Sequence, residues 1–170
     1  MPAKVPDEAL LLELLNTTPV VEGTPGDRLE PEPAGLSWLR AHGGVGSRRE
    51  LAHVLGVRDT LQVVVRAGAP PSRLKPFLDS VSYRLTTDAD GLVWFLETPR
   101  DQRIATRIVL AWDELRRTAP GRLRPCANHE CALFLIDHSK TNSARWCSMA
   151  ACGNRMKARR HYQRQRQAAR

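Results

Sequence analysis

The chain has 170 residues, 42% of them hydrophobic and 26% charged, with a formal net charge of +8. No stretch approaches the roughly 20 apolar residues that a bilayer-spanning helix needs, and the short run 9–15, interrupted by Glu13 and preceded by Asp7 and Glu8, makes a poor signal peptide. Residues 1–120 carry 15 Lys/Arg against 16 Asp/Glu, whereas residues 121–170 carry 11 against 2, so a neutral part precedes one holding essentially all the positive field.

In chain order, Asp7 is placed to cap a helix whose Leu10, Leu11, Leu14 and Leu15 recur at helical spacing, with Pro19 stopping it just past Asn16 and Thr17. Val20 and Val21 read as a short strand, followed by a Pro- and Gly-rich loop. A short helix over 36–42 buries Leu36, Trp38 and Leu39, and Gly43, Gly44 and Gly46 break it. Ser47 and Glu50 form a capping box opening a helix to about Arg66, with Leu51, Val54, Leu55, Leu61, Val64 and Val65 as its apolar face. Pro70-Pro71-Ser72 starts another short helix to about Leu78. The clearest β signal follows: 82–87 and 92–97 flank the turn 88–91, with Gly91 at the left-handed position. Residues 101–117 form a helix with Ile104, Ile108, Trp112 and Leu115 in a stripe. Ala119-Pro120-Gly121 ends it and marks a domain boundary.

The first 120 residues carry no Gly-rich phosphate loop, nucleophile elbow or His-Glu-x-x-His pair. His42 and His53 lack convergent partners and read as ordinary residues. Trp38, Trp94 and Trp112 read as core anchors. Asn16-Thr17 fits either a small-ligand contact or plain helix termination.

Chemistry concentrates in the last 50 residues. Cys126 and Cys131 are separated by four residues, as are Cys147 and Cys152, with fifteen between the pairs. The expected cytoplasmic setting (the nucleoid, if the source is bacterial) keeps thiols reduced, so metal ligands are favoured over disulfides. Four thiolates suit one structural, tetrahedral Zn²⁺. His129, inside the first loop, and His138 are the competing ligands. The interval between the pairs suits a hairpin, with 133–137 as one strand, 139–143 as turn and 144–146 as return. Ser148 then caps a helix with Cys152 on its first turn: a treble-clef-like arrangement. Beyond Leu133, Leu135, Trp146 and Met149 this module has little core, so metal affinity doubles as folding energy.

The tail helix is cationic on two sides, with Arg155, Arg159, Arg166 and Arg170 on one and Lys157, Arg160 and Arg164 on the other. Like-charge pairs four residues apart favour fraying until a polyanion binds. Lys140, Arg145, Arg155, Lys157, Arg159, Arg160, Arg164 and Arg166 are the expected nucleic-acid contacts, Arg being suited to bidentate phosphate or guanine recognition.

Cys152-Gly153-Asn154-Arg155, with flanks Trp146-Cys147-Ser148-Met149 and Lys157-Ala158-Arg159-Arg160, resembles the signature of the CGNR zinc-finger family. More loosely, 11–17 (LLELLNT) resembles the opening of the ABATE domain that usually precedes this finger. The resemblance implies an ABATE-like domain over 1–120, a zinc finger with a basic helix over 121–170, and a role in transcription regulation, perceived in the family as stress-related. By position it implies Cys126, Cys131, Cys147 and Cys152 as zinc ligands, Gly153 and Asn154 in helix packing or backbone contact, and Arg155 facing nucleic acid.

The expected class is therefore α+β: a mostly helical N-terminal domain with a small antiparallel sheet, plus the zinc module. The leading function is a zinc-dependent DNA-binding regulator. Duplex DNA is its expected partner, a homodimer and a small-molecule effector are further expectations for the N-terminal part, and no membrane is involved. An RNA- or ribosome-associated protein and a zinc-stabilised protein–protein adaptor are the alternatives. An enzyme is disfavoured, because four thiolates leave zinc no open position.

Overall fold

The structure, a computed structural model, describes residues 7–168; Arg170 of the expected basic face lies outside them. The class is α+β as expected, mostly helical with small antiparallel sheets.

Helix α1 (Glu8–Leu15) buries Leu10, Leu11, Leu14 and Leu15. Asp7 does not cap it through its side chain. Its carboxylate instead receives Nε (2.9 Å) and a terminal nitrogen (2.7 Å) of Arg107, a bidentate pair from a helix far along the chain. After α1, β1 (Val20–Val21) pairs with β2 (Thr24–Pro25) in a minimal hairpin. Helix α2 (Glu32–Ala41) starts four residues before the expected 36, because the prolines read as loop sit at and just inside its first turn, where no backbone donor is needed.

Helix α3 (Arg48–Ala67) is opened by Ser47, whose hydroxyl accepts from the Glu50 amide at 3.1 Å. Glu50 reaches back to the Gly46 amide (2.8 Å), one residue before the cap, so the expected capping box is shifted rather than absent. Gly44 must be glycine here: a Cβ would lie 2.7 Å from the Glu50 carboxylate and 2.9 Å from the Leu39 carbonyl. On the buried face of α3, Arg58 is held by Asp27 (2.7 Å) and Thr17 (3.1 Å), which pins the loop after α1. Gly68, at φ 66°, ends the helix in the left-handed conformation.

A 3₁₀ segment (Pro71–Phe77) leads to β3 (Ser82–Asp88), paired antiparallel with β4 (Gly91–Glu97). Gly91 has φ 134°, positive but outside the left-handed helical region expected for it. This sheet has two strands among the described residues, so Trp94 is 49% exposed and is not the core anchor expected. Trp112 is buried, and Trp38 is half-buried with its indole N–H donated to Glu13 (2.6 Å). A 3₁₀ turn (Arg100–Gln102) precedes α4 (Arg103–Thr118), which buries the whole expected stripe.

Past the expected boundary the chain forms β5 (Leu123–Pro125), paired antiparallel with β6 (Phe134–Ile136). The anticipated return strand at 144–146 does not form; the partner of β6 lies upstream. Phe134 is 1% exposed and belongs to the same core as α1, α3 and α4, with Leu123 and Ile136 packed against it. On the outer edge of β6, Asn16 bonds the Phe134 backbone twice, accepting its N–H at 2.7 Å and donating to its carbonyl at 3.2 Å. The side chain thus acts as a surrogate strand. Asn16→Ala leaves both groups of Phe134 without a partner and is expected to cost about 2–3 kcal/mol, read from denaturant unfolding of the zinc-loaded chain; a loss below ~0.5 kcal/mol would show that the clamp is incidental.

Candidate metal centre and basic helix

The turn joining β5 to β6 is the first half of the centre. Cys126 N–H bonds the Leu133 carbonyl (2.8 Å), and Cys131 N–H bonds the Asn128 carbonyl (2.9 Å). This knuckle aims two sulfurs the same way. The second half follows a loop organised by Asp137, whose side chain is 1% exposed. Its carboxylate accepts from the amides of Ser139 (2.8 Å) and Ala144 (2.7 Å) and pairs with Arg124. Hydrogen bonding from Ser139, then from Ala144, with the Arg124 charge, holds its carboxyl down at about 2 against the opposing effect of burial. Arg122 donates to the carbonyls of Asp137 (2.5 Å) and Ser139 (2.9 Å). Two arginines of the basic segment are therefore committed to this loop.

The halves are stitched together by Ala127 N–H to the Arg145 carbonyl (2.8 Å) and Cys147 N–H to Cys126 Sγ (3.4 Å). Ser148 caps as expected, its hydroxyl accepting from Ala151 N–H (3.3 Å). What it caps is a π-turn (Met149–Gly153), closed by Gly153 N–H to the Ser148 carbonyl (3.0 Å). The wider turn accounts for the gap of four: it brings Cys152 Sγ to 3.7 Å from Cys147 Sγ. Gly153 lies against Met149 and Trp146, and a Cβ there would meet the Met149 sulfur at 2.7 Å.

All four Sγ atoms lie within 4.8 Å of one another, with the Cys131–Cys147 and Cys147–Cys152 pairs both at 3.7 Å. Tetrahedral zinc with bonds of ~2.3 Å requires sulfur–sulfur edges of about 3.8 Å. The donor set fits one structural zinc. Second-layer groups fit it too: the Leu133 amide donates to Cys131 Sγ (3.5 Å) and the buried Asn128 amide to Cys152 Sγ (3.5 Å), each able to stabilise thiolate charge. Burial, with the neighbouring thiols, pushes the Cys131 and Cys147 thiols up, while hydrogen bonding from Asn128 and the neighbouring thiols lowers Cys152 against the effect of burial. Such a cluster needs a dication to ionise together. His129 and His138 are exposed and take no part in the group.

Helix α5 (Asn154–Ala168) leaves the π-turn directly. Arg155, Lys157, Arg159, Arg160, Arg164 and Arg166 are all exposed on it, as are Lys140 and Arg145 in the preceding loop. Three of the eight are engaged within the chain, Arg164 through its Nε to the Arg160 carbonyl (3.4 Å). Arg159 pairs with Glu130 on the knuckle (2.5 Å), and its hydrogen bond holds that carboxyl below the usual range, with Arg155 contributing. Arg145 lies 5.4 Å above the Trp146 ring. The Glu130–Arg159 pair fixes how α5 leaves the metal centre, a role invisible in the sequence because 29 residues separate the two. Asn128, Asp137 and Arg124 were likewise missed; only the brevity of the Cys126–Cys131 loop hinted that a polar side chain would turn inward.

Fold and site together define a zinc finger: a cysteine knuckle on a hairpin, and a helical turn completing the ligand set. The family model of the CGNR zinc finger matches residues 122–165, from β5 into α5. No curated protein matches the chain.

Proposed function

We propose that the chain is a zinc-dependent regulator that binds duplex DNA through the zinc finger and α5, with the N-terminal unit over 1–120 serving a regulatory or dimerising role. The observation that carries this reading is that α5 grows directly from the turn holding Cys152, with six exposed cationic side chains among its described residues and no acidic one. Zinc sets the direction of that helix through Cys152 in the turn from which it grows. A positive rod anchored at one end suits the phosphate backbone, where affinity comes from counterion release. Single-stranded RNA is less favoured, because recognition there leans on aromatic stacking and only Tyr162 stands exposed on the helix.

The test is salt dependence. If about four to six phosphates are neutralised, the slope of log affinity against log salt on random duplex DNA is expected to be about −4 to −5. A slope near zero, or tight binding to a partner protein at high salt, would favour the adaptor reading instead.

A further inference from the structure

The β3–β4 hairpin carries an apolar face that the fold leaves open. The register pairs Tyr83 with Leu96, Leu85 with Trp94 and Thr87 with Leu92, placing these side chains on one side of the sheet. Tyr83 is 39% exposed, Leu85 47%, Trp94 49% and Leu92 71%. An isolated two-stranded hairpin is marginal in water, and this one has seven cross-strand pairs with both outer edges unpaired among the described residues. It is nonetheless built of side chains that belong in a core.

We infer that this face is the homodimer interface, two hairpins stacking apolar face to apolar face about a two-fold axis with strands antiparallel, tip over base. Area supports a second copy. At roughly 180–250 Å² for each whole residue, the four exposed side chains offer about 400 Å² per copy, half of the ~800 Å² per partner that a stable interface buries; the strand backbone, Leu96 and the rim supply further area. Charge supports the antiparallel arrangement. The hairpin tip carries Asp88 and Asp90, and the base of β4 leads into Arg100 and Arg103, which are exposed and have no ion pair among the described residues. Asp101, also at the base, is already neutralised by Arg49 (2.8 Å). Tip over base therefore sets acidic against basic ends twice, as a self-complementary contact requires. The opposite face is mixed: Phe95 is 55% exposed there, with Arg84 5.9 Å from its ring and paired with Glu97 at 2.6 Å.

The inference is independent of DNA binding and is tested without DNA. Sedimentation velocity of the zinc-loaded full chain from 1 to 100 μM is expected to show twice the monomer mass. Leu92→Glu/Trp94→Glu is expected to weaken self-association at least about 100-fold, while Phe95→Glu, on the opposite face beside Arg84 and Glu97, leaves it unchanged. Unaltered far-UV circular dichroism and zinc content establish that the variants are folded. Asp90→Lys and Arg100→Glu each weaken the dimer, and together they restore it. Monomer at every concentration, or a dimer indifferent to the Leu92/Trp94 change, would overturn the inference; failure of the double charge reversal to restore would overturn the antiparallel arrangement.

Discussion

Cys152→Ser is expected to abolish stoichiometric zinc binding at neutral pH and to release residues 137–168 from their fixed structure, while the N-terminal core stays folded. The split follows from where each half finds its stability. Strands β5 and β6 rest on the protein core through Phe134, Leu123 and Ile136, and Asn16 clamps their edge. Beyond Asp137 the chain offers little buried apolar surface: Trp146 is only half-buried, and Met149 and most of α5 are exposed. What holds this second half is the loop around Asp137 and four sulfurs drawn to one metal. Structural zinc in small modules contributes an apparent ~10–16 kcal/mol, and losing even about 4 kcal/mol of it weakens zinc binding a thousandfold. Zinc content and amide hydrogen exchange of the full chain read the result together. Protection lost over 137–168 but kept over α1, α3 and α4 is expected; unchanged protection throughout would mean that packing, not metal, holds the module.

Replacing Arg155, Arg159 and Arg160 together by Ala is expected to lower duplex DNA affinity about 100-fold near 0.15 M salt and to flatten the salt slope by about 3, at unchanged zinc content. The three share an exposed helix and none touches a sulfur, so zinc binding serves as the internal control. Their shares should differ. Arg159 already pairs with Glu130 and must exchange that partner for a phosphate, whereas Arg155 and Arg160 have no carboxylate contact of that kind among the described residues. Single substitutions are therefore expected to rank Arg159 below the other two. Equal, small effects from all three would point to a diffuse polybasic tail rather than an oriented helix.

Much of this was written in local pattern. Four cysteines in two equal pairs announced the metal centre, and the stripe on α4 and the Ser47 cap announced their helices. What escaped depends mostly on partners outside the segment itself. Leu123-Arg124-Pro125 has no periodicity long enough to read as a strand, and it becomes β5 only because β6 lies beside it. Asn16 looks like a helix terminator until the edge of β6 arrives to use both ends of its amide. Asp7 sits where a cap belongs, yet a guanidinium from α4 is the stronger partner. The π-turn is a single turn set by where the sulfurs must go, and helix propensity carries no trace of it. Trp94 looked like core because tryptophan usually is; its exposure reflects a sheet that no other described element covers.

In the proposed function, zinc orients a cationic helix for DNA. Fluorescence anisotropy of the zinc-loaded chain on random duplex DNA, from 50 to 300 mM salt and with and without chelator, tests it most directly. Binding that is lost or sharply reduced on chelation and that weakens steeply with salt is the expected result. Binding of equal strength and slope after chelation would contradict it, since the arginines would then act without the metal centre that positions them.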